Sequence, residues 1–320
     1  MSVDRIATAQ QSAYFLSQIN KTSAALNTTN QQIASQDVAT TYAGFGDQTQ
    51  VLTASISANA RNDAYTAATN IATTQADMQD TQLTSLGTLV TQLKKAVSDA
   101  VSNNDPTTLM GQVQNIFDQA TAILNSKDAS GDYVYSGGKT DTAPVTVSSL
   151  ASLVALPSIS GAFANGTDKK SVQVADGQSV TFGLTASDVG TGLMQALKDI
   201  AGFDAGASGN FNNSTSLSQA QNDFLSSQIT SVGTVAVNLN TATAENGYAF
   251  NQLQSATTQQ ASMSTLYTGF INGIQKTNMA EAATQLSLNQ TALQAVLQVT
   301  SSLNKLSLLN YLPVSNGSGG

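Results

Sequence analysis

Apolar residues recur along most of the chain at alternating spacings of four and three, the period of helices that pack seam against seam. Near the start, Ser12, Leu16, Ile19, Ser23, Leu26, Asn30 and Ile33 hold this spacing, with polar residues interleaved. Such a seam gains little alone and wants a partner helix. Tyr42-Ala43-Gly44-Phe45-Gly46 interrupts it, because two close glycines weaken a helix. A second helical stretch, from about 48 to 101, carries its clearest seam at Leu83, Leu86, Val90, Leu93, Val97 and Ala100. Asn103-Asn104-Asp105-Pro106 ends it. Asp105 as N-cap and Pro106 at the first helical position then predict a third helix, burying Leu109, Val113, Ile116, Ala120 and Ile123.

The texture changes at Asp132. YVYSGGKTDTAPVTV mixes β-branched and aromatic residues with glycine and proline, which favours extended chain and turns. Ser171–Leu184 alternates apolar and polar residues on both sides of Asp176-Gly177 and predicts a hairpin. A short helix holds Leu193, Leu197 and Ile200, and GFDAGASGNFNNSTS reads as a loop. A long heptad register then runs through Leu225, Ile229, Val232, Ala236, Leu239, Thr243, Asn246, Phe250 and Leu253, and resumes at Tyr267, Ile271 and Ile274.

The last stretch, Met279–Pro313, is apolar on two sides. Leu288, Ala292, Ala295, Val299, Ser302, Leu306 and Leu309 form one seam; Met279, Leu286, Leu293 and Leu297 lie nearly opposite. A helix on the surface of one domain needs a single stripe.

These patterns predict a mainly α fold. Both chain ends form a long antiparallel helical hairpin or coiled-coil bundle, and a small α+β outer domain is inserted in the middle. The expected divisions are 1–45 with 278–313 as a terminal coiled-coil domain, 46–131 with 216–277 as a helical rod, 132–215 as the outer domain, and 314–320 as a disordered Gly/Ser tail. The insert is expected to point outward and share few contacts with the helical core.

Composition narrows the chemistry. Charged residues make up 10% of the 320 and the net charge is −8, with no basic cluster beyond Lys94-Lys95 and Lys169-Lys170, which argues against nucleic acid. The sequence has no Cys, His or Trp, so disulfides, thiolate or imidazole metal sites and Ser-His-Asp catalysis are excluded. Glu245 and Glu281 are the only glutamates, and neither has an acidic partner nearby in sequence. No catalytic, cofactor or metal residue is expected, and the chain reads as a non-enzyme. MSVDRIATAQQSAYFLSQINK does not read as a Sec signal peptide, and no run of about eighteen apolar residues predicts membrane insertion. Tyr133, Tyr135, Phe163 and Phe211 could stack on sugars or fill a core, so a surface module binding a glycan or host protein is the reading from another class.

Several stretches resemble the flagellin family, whose members include filament subunits and hook–filament junction proteins. TYAGFGDQTQVLTASISANAR (Thr41–Arg61) is similar to the spoke region of α-proteobacterial members. SGDYVYSGGKTDTAPV (Ser130–Val145) is similar to the exit from the helical domain. VADGQSVTFGLTASDVGTGLMQALKDI (Val174–Ile200) is similar to the outer-domain hairpin and helix. NMAEAATQLSLNQTALQAVLQVTSSLNKLSLLNYL (Asn278–Leu312) is the most specific stretch. One departure is Ala34-Ser35-Gln36-Asp37, which stands where many relatives carry a basic Ser-Thr-Gly-Lys/Arg stretch.

The resemblance implies terminal helices that line a hollow fibre, so that the last helix touches both its own N-terminal helix and neighbouring subunits. It implies a secreted, extracellular structural subunit of the bacterial flagellum, exported unfolded through the flagellar channel and polymerised there. Both the hook–filament junction and the filament remain open, the junction being favoured by GGKTDTAPV and the Leu-Leu-Asn-Tyr-Leu ending. Implied partners are further copies in a homo-oligomer or helical polymer, the hook, hook-associated and flagellin proteins, the export apparatus and an export chaperone. The implied assembly interface comprises Leu16, Ile19, Leu26, Ile33, Leu286, Leu288, Leu293, Leu297, Val299, Leu306 and Leu309.

Overall fold

The computed structural model of the chain describes residues 2–309; the side chains of 2–9 and 304–309, and the residues of the expected tail, lie outside the description. The element order is α1 (Ser2–Ser35), α2 (Thr49–Asn103), α3 (Leu109–Leu124), α4 (Leu150–Ala155), β1 (Lys170–Ala175), β2 (Gln178–Phe182), α5 (Ala186–Asp204), α6 (Gln219–Gln275) and α7 (Met279–Leu309). Short 3-10 turns cover Tyr42–Gln48, Ile159–Ala162 and Phe211–Asn213. The fold is mainly helical with one small sheet, and the helices from the two ends pack together. Two compact units are present: residues 1–60 with 265–320, and residues 61–264.

The middle unit holds both apolar clusters. In the larger one, Leu86, Leu93 and Val97 of α2 pack with Val113, Ile116 and Phe117 of α3, Leu193 and Leu197 of α5, and Leu225 and Val232 of α6. The inserted segment adds Tyr135, Val145, Leu153 and Ala162 to this same cluster. The expectation that the insert shares little with the helices is therefore corrected: α5 and the segment preceding the hairpin, which carries α4, complete the helical core. Gly190 shows how tight the joint is. A Cβ there would come within 2.7 Å of Leu124 Cδ1 and 3.2 Å of the Phe163 ring, so any larger residue would force those side chains to move.

The second cluster seats the hairpin. β1 and β2 pair antiparallel, with Val172 opposite Val180 and a turn at Asp176-Gly177, where Gly177 takes φ +72°. Val174, Val180 and Phe182 cover Ala72, Ala76, Ala249 and Leu253 of α2 and α6. Here the α2 and α6 seams are polar, and hydrogen bonds replace apolar bulk. Asn62 Nδ2 donates to the Gln260 carbonyl (2.9 Å), and Gln260 Nε2 donates to Thr69 Oγ1 (2.9 Å) and the Val174 carbonyl (2.8 Å). Asn246 Nδ2 donates to the Ala76 carbonyl (2.9 Å). Burial makes an unpaired amide donor costly, so these N–H bonds to particular carbonyls favour the observed antiparallel alignment.

Two local expectations shift. α3 begins at Leu109 instead of just after Asp105, because Asp105 Oδ1 accepts from Thr107 N (3.0 Å) and Oγ1 (2.7 Å) and closes a separate turn. Those bonds hold the Asp105 carboxyl below its ordinary range. α4 follows a stretch read as extended and turns; Ser149 starts it with a capping box to Ser152.

Candidate assembly surface

The terminal unit is built on α1 and α7, which pack together with almost nothing fully buried. On α1 the covered positions are Phe15, Ile19, Thr22, Leu26, Thr29 and Ile33, again at spacings of four and three. Three of the predicted seam residues, Ile19, Leu26 and Ile33, lie here. Leu16 instead faces out, 59% exposed. Thr22 and Thr29 lie in the covered seam, Ser23 beside it is half-buried, and Asn30 is exposed. Thr29 Oγ1 donates to the Ala25 carbonyl (2.9 Å), leaving its methyl free to pack.

On α7 the covered positions are Ala282, Leu286, Asn289, Leu293, Val296, Thr300 and Leu303. Asn289 Nδ2 donates to Thr29 Oγ1 across the pair (3.3 Å). Leu286 and Leu293 thus face α1. Leu288 and Val299 face away, at 59% and 45% exposure; Leu297, at 49%, and Met279 are open although they belong to the stripe of Leu286 and Leu293. The predicted heptad seam from Leu288 onward is the free side of α7 within one chain. The side facing α1 is the second stripe read from the sequence, through Leu286 and Leu293; Asn289 and Thr300 also lie on it, and their polarity kept them out of an apolar reading. Leu306 and Leu309 carry side chains outside the description.

A full burial of Leu or Val is worth about 1.5–3 kcal/mol. Among the described side chains of α1 and α7, only Thr29 and Ala282 are fully buried, at 4% and 5% exposure, so this pair collects a fraction of that value per leucine.

At the foot of the pair, the chain leaves α1 and enters α7 through two facing breaks. Gln36 takes a left-handed φ of +62°. Val38 N donates to the Gln275 carbonyl (2.7 Å) and Thr277 N to the Gln36 carbonyl (3.0 Å). Lys276 Nζ lies 2.8 Å from Asp37 Oδ1, with both side chains partly exposed. Gln32 Nε2 donates to the Val38 carbonyl (2.9 Å), and Asn278 Oδ1 accepts from Ala280 N (3.2 Å) in the first turn of α7.

The aromatic residues that could have served sugar stacking are used otherwise. Tyr135 and Phe211 are fully buried, and burial pushes the Tyr135 phenol well above its ordinary pKa. Phe163 packs against the large cluster, and Lys127 Nζ sits 4.5 Å from the centroid of the half-buried Tyr133 ring. Among the described residues, no helix is long and apolar enough to cross a membrane.

No protein-family model matches the chain. Flagellar hook-associated protein 3 of Escherichia coli is 24% identical over 136 residues, covering 41% of this chain and 39% of its own length. The protein of the same name from Salmonella typhimurium is 29% identical over 91 residues, 27% of this chain and 29% of its own length. The chain thus aligns with less than half the length of either relative. Two solved structures share the fold. A Vibrio parahaemolyticus protein assigned as flagellar hook-associated superposes with a TM-score of 0.57 at 18% identity, over 71% of this chain and 97% of its own. Bacillus cereus FlgL gives a TM-score of 0.52 at 13% identity, over 69% of this chain and 98% of its own.

Proposed function

We propose that this chain, a relative of the flagellar hook-associated proteins, is a non-enzymatic structural subunit of the bacterial flagellum that joins its neighbours through α1 and α7. The observation that carries the reading is the two-sidedness of α7. One stripe, with Leu286 and Leu293, is used against α1; the other, with Leu288 and Val299, is left uncovered. In an assembly, Leu16, Leu288, Leu297 and Val299 would be covered by other copies or by other axial proteins. Ile19, Leu26, Ile33, Leu286 and Leu293 would hold the pair itself together, and Leu306 and Leu309 are assigned to the interface by their spacing in the sequence alone. Contacts between different faces of successive copies give an open helical array instead of a closed dimer.

The place of action in this reading is outside the cell, at the hook–filament junction, reached by export through the flagellar channel. The names of the two relatives support the junction over the filament. The four-part division of the chain into terminal, rod, outer and tail segments belongs to the same proposal.

Immunogold labelling of intact flagella tests it. A single band where the hook meets the filament is expected. Labelling along the whole fibre would make the chain a filament subunit, and absence from flagella would end the axial reading altogether.

A further inference from the structure

The seam between α1 and α7 does not choose its own register. From the Thr29–Asn289 hydrogen bond, the spacing of four and three aligns Leu26 with Leu293 and Ile33 with Leu286. Sliding one helix by a heptad, about 10.5 Å at 1.5 Å per residue, aligns Leu26 with Leu286, Ile19 with Leu293 and Thr22 with Asn289. Leucine still meets an aliphatic partner, and Asn289 again meets a threonine hydroxyl. The two alignments fill the seam almost equally well. The α2–α6 pair escapes this degeneracy through buried amides bonded to particular carbonyls, but α1 and α7 have no comparable set among their described side chains.

We propose that the clasp formed by residues 36–38 and 275–277 sets the register of the terminal helices, with Asp37 and Lys276 as positioning residues. Its two backbone hydrogen bonds join Val38 to Gln275 and Thr277 to Gln36, and the ion pair adds a contact of fixed polarity between them. The segments pair in one antiparallel alignment, with Asp37 opposite Lys276, and the ion pair between those two side chains is lost if they slip. The clasp is tied to the last turn of α1 by Gln32 and to the first turn of α7 by Asn278, so that alignment passes into both helices. A slip would displace Leu288 and Val299 against Tyr14 and Leu16, and the outward apolar pattern would change. The consequence for assembly rests on the proposed function; the register itself is a property of the single chain and is tested there.

The chain has no cysteine, which makes cross-linking clean. In soluble full-length monomer, the pair Leu26→Cys with Leu293→Cys reports the observed register, and Leu26→Cys with Leu286→Cys reports the slipped one. With the clasp intact, oxidation should close the first pair and leave the second at background. Val38→Pro, which removes the donor to Gln275, and Asp37→Lys, which opposes Lys276, should raise the slipped cross-link to a yield comparable with the other. Combining Asp37→Lys with Lys276→Asp restores the attraction and should suppress the slipped product again. Three results would overturn the proposal: a slipped cross-link with the clasp intact, the observed register alone in both clasp variants, or loss of both cross-links in the mild Asp37→Lys variant. The last would make the clasp a condition of pairing instead of its ruler.

Discussion

The middle and terminal units use the same helical grammar to different ends. Both place Thr, Asn and Gln within heptad seams. In the middle unit those residues are buried and bonded, as with Asn62, Thr69, Asn246 and Gln260, and the adjoining leucines of α2 are fully covered. In the terminal unit, the described leucines and isoleucines of α1 and α7 are at best half covered. Exposed large apolar side chains gather there too: Tyr14, Leu16, Leu288, Leu297 and Val299 on those helices, and Leu266 and Phe270 on the end of α6. The middle unit exposes Ile71, Val237 and Tyr248 at separate places. A scattered apolar residue needs no explanation, whereas a stripe along one helix does. The middle of the chain has completed its own burial, and the ends have not.

The sharpest way to break this comparison is to place a carboxylate on each side of it. Leu93→Asp puts a charge at a fully buried position of α2 and should cost several kcal/mol, read as collapse of the main thermal transition. Leu288→Asp should leave that transition within about 0.5 kcal/mol of the parent, as exposed substitutions do, yet prevent incorporation into flagella. A monomer strongly destabilised by Leu288→Asp would mean that the outward stripe is covered within one chain.

Next in size is the loss of a buried amide. Gln260→Ala leaves the Val174 carbonyl without its amide donor, while Thr69 Oγ1 keeps its bond to the Tyr65 carbonyl, and should lower stability by about 1–3 kcal/mol. Asn289→Ala removes a partly buried contact to Thr29 and should cost well under about 1 kcal/mol in urea unfolding. Equal costs would erase the distinction between the two seams.

Leu293→Asp should weaken the α1–α7 pair and block assembly while the middle unit keeps its cooperative unfolding. Because Leu293 is only half covered, the effect on the monomer should be smaller than that of Leu93→Asp. Limited proteolysis reads the same difference without mutation. Sites in α1 and α7 should be cut first in dilute monomer and become protected on assembly, leaving a resistant fragment of roughly the middle unit, residues 61–264. Termini already resistant in dilute monomer would count against an incomplete pair.

The smallest effect concerns acid. Asp105 has a folded pKa lowered by its bonds to Thr107, so its contribution is present above the unfolded pKa and fades as pH falls through the lower, folded value. The group is fully exposed, so Asp105→Ala should flatten only a slight part of the acid limb of the melting curve. A large change would point to a role beyond closing that turn.

Much of this architecture could be read in advance, for definable reasons. Leu225, Val232, Leu239 and Leu253 keep strict register over a long helix, and Leu83 to Ala100 do the same in α2, so the covered faces followed from period alone. Asp176-Gly177 marked the hairpin because its turn needs a residue free to take positive φ. The start of α3 and the presence of α4 were less legible. Asp105 can cap a helix or close a turn with equal local chemistry, and Ser149 to Ala155 is too short to show a period.

Sequence by itself determined that α7 carries two apolar stripes, that α1 carries a thin one, and that no histidine or cysteine chemistry exists in the chain. Only the tertiary structure decided which stripe of α7 meets α1. Leu286 and Leu288, one from each stripe, stand two positions apart and so lie about 200° apart, on nearly opposite sides of the helix. Each stripe is apolar enough to meet α1, and the packed pair shows that Leu286 and Leu293 do so, with Asn289 bonded to Thr29 between them. The same holds for the insert. Its strand and turn texture was local, but its place in the core depended on Tyr135, Leu153 and Leu193 meeting α2 and α3, a contact no periodicity along one segment records.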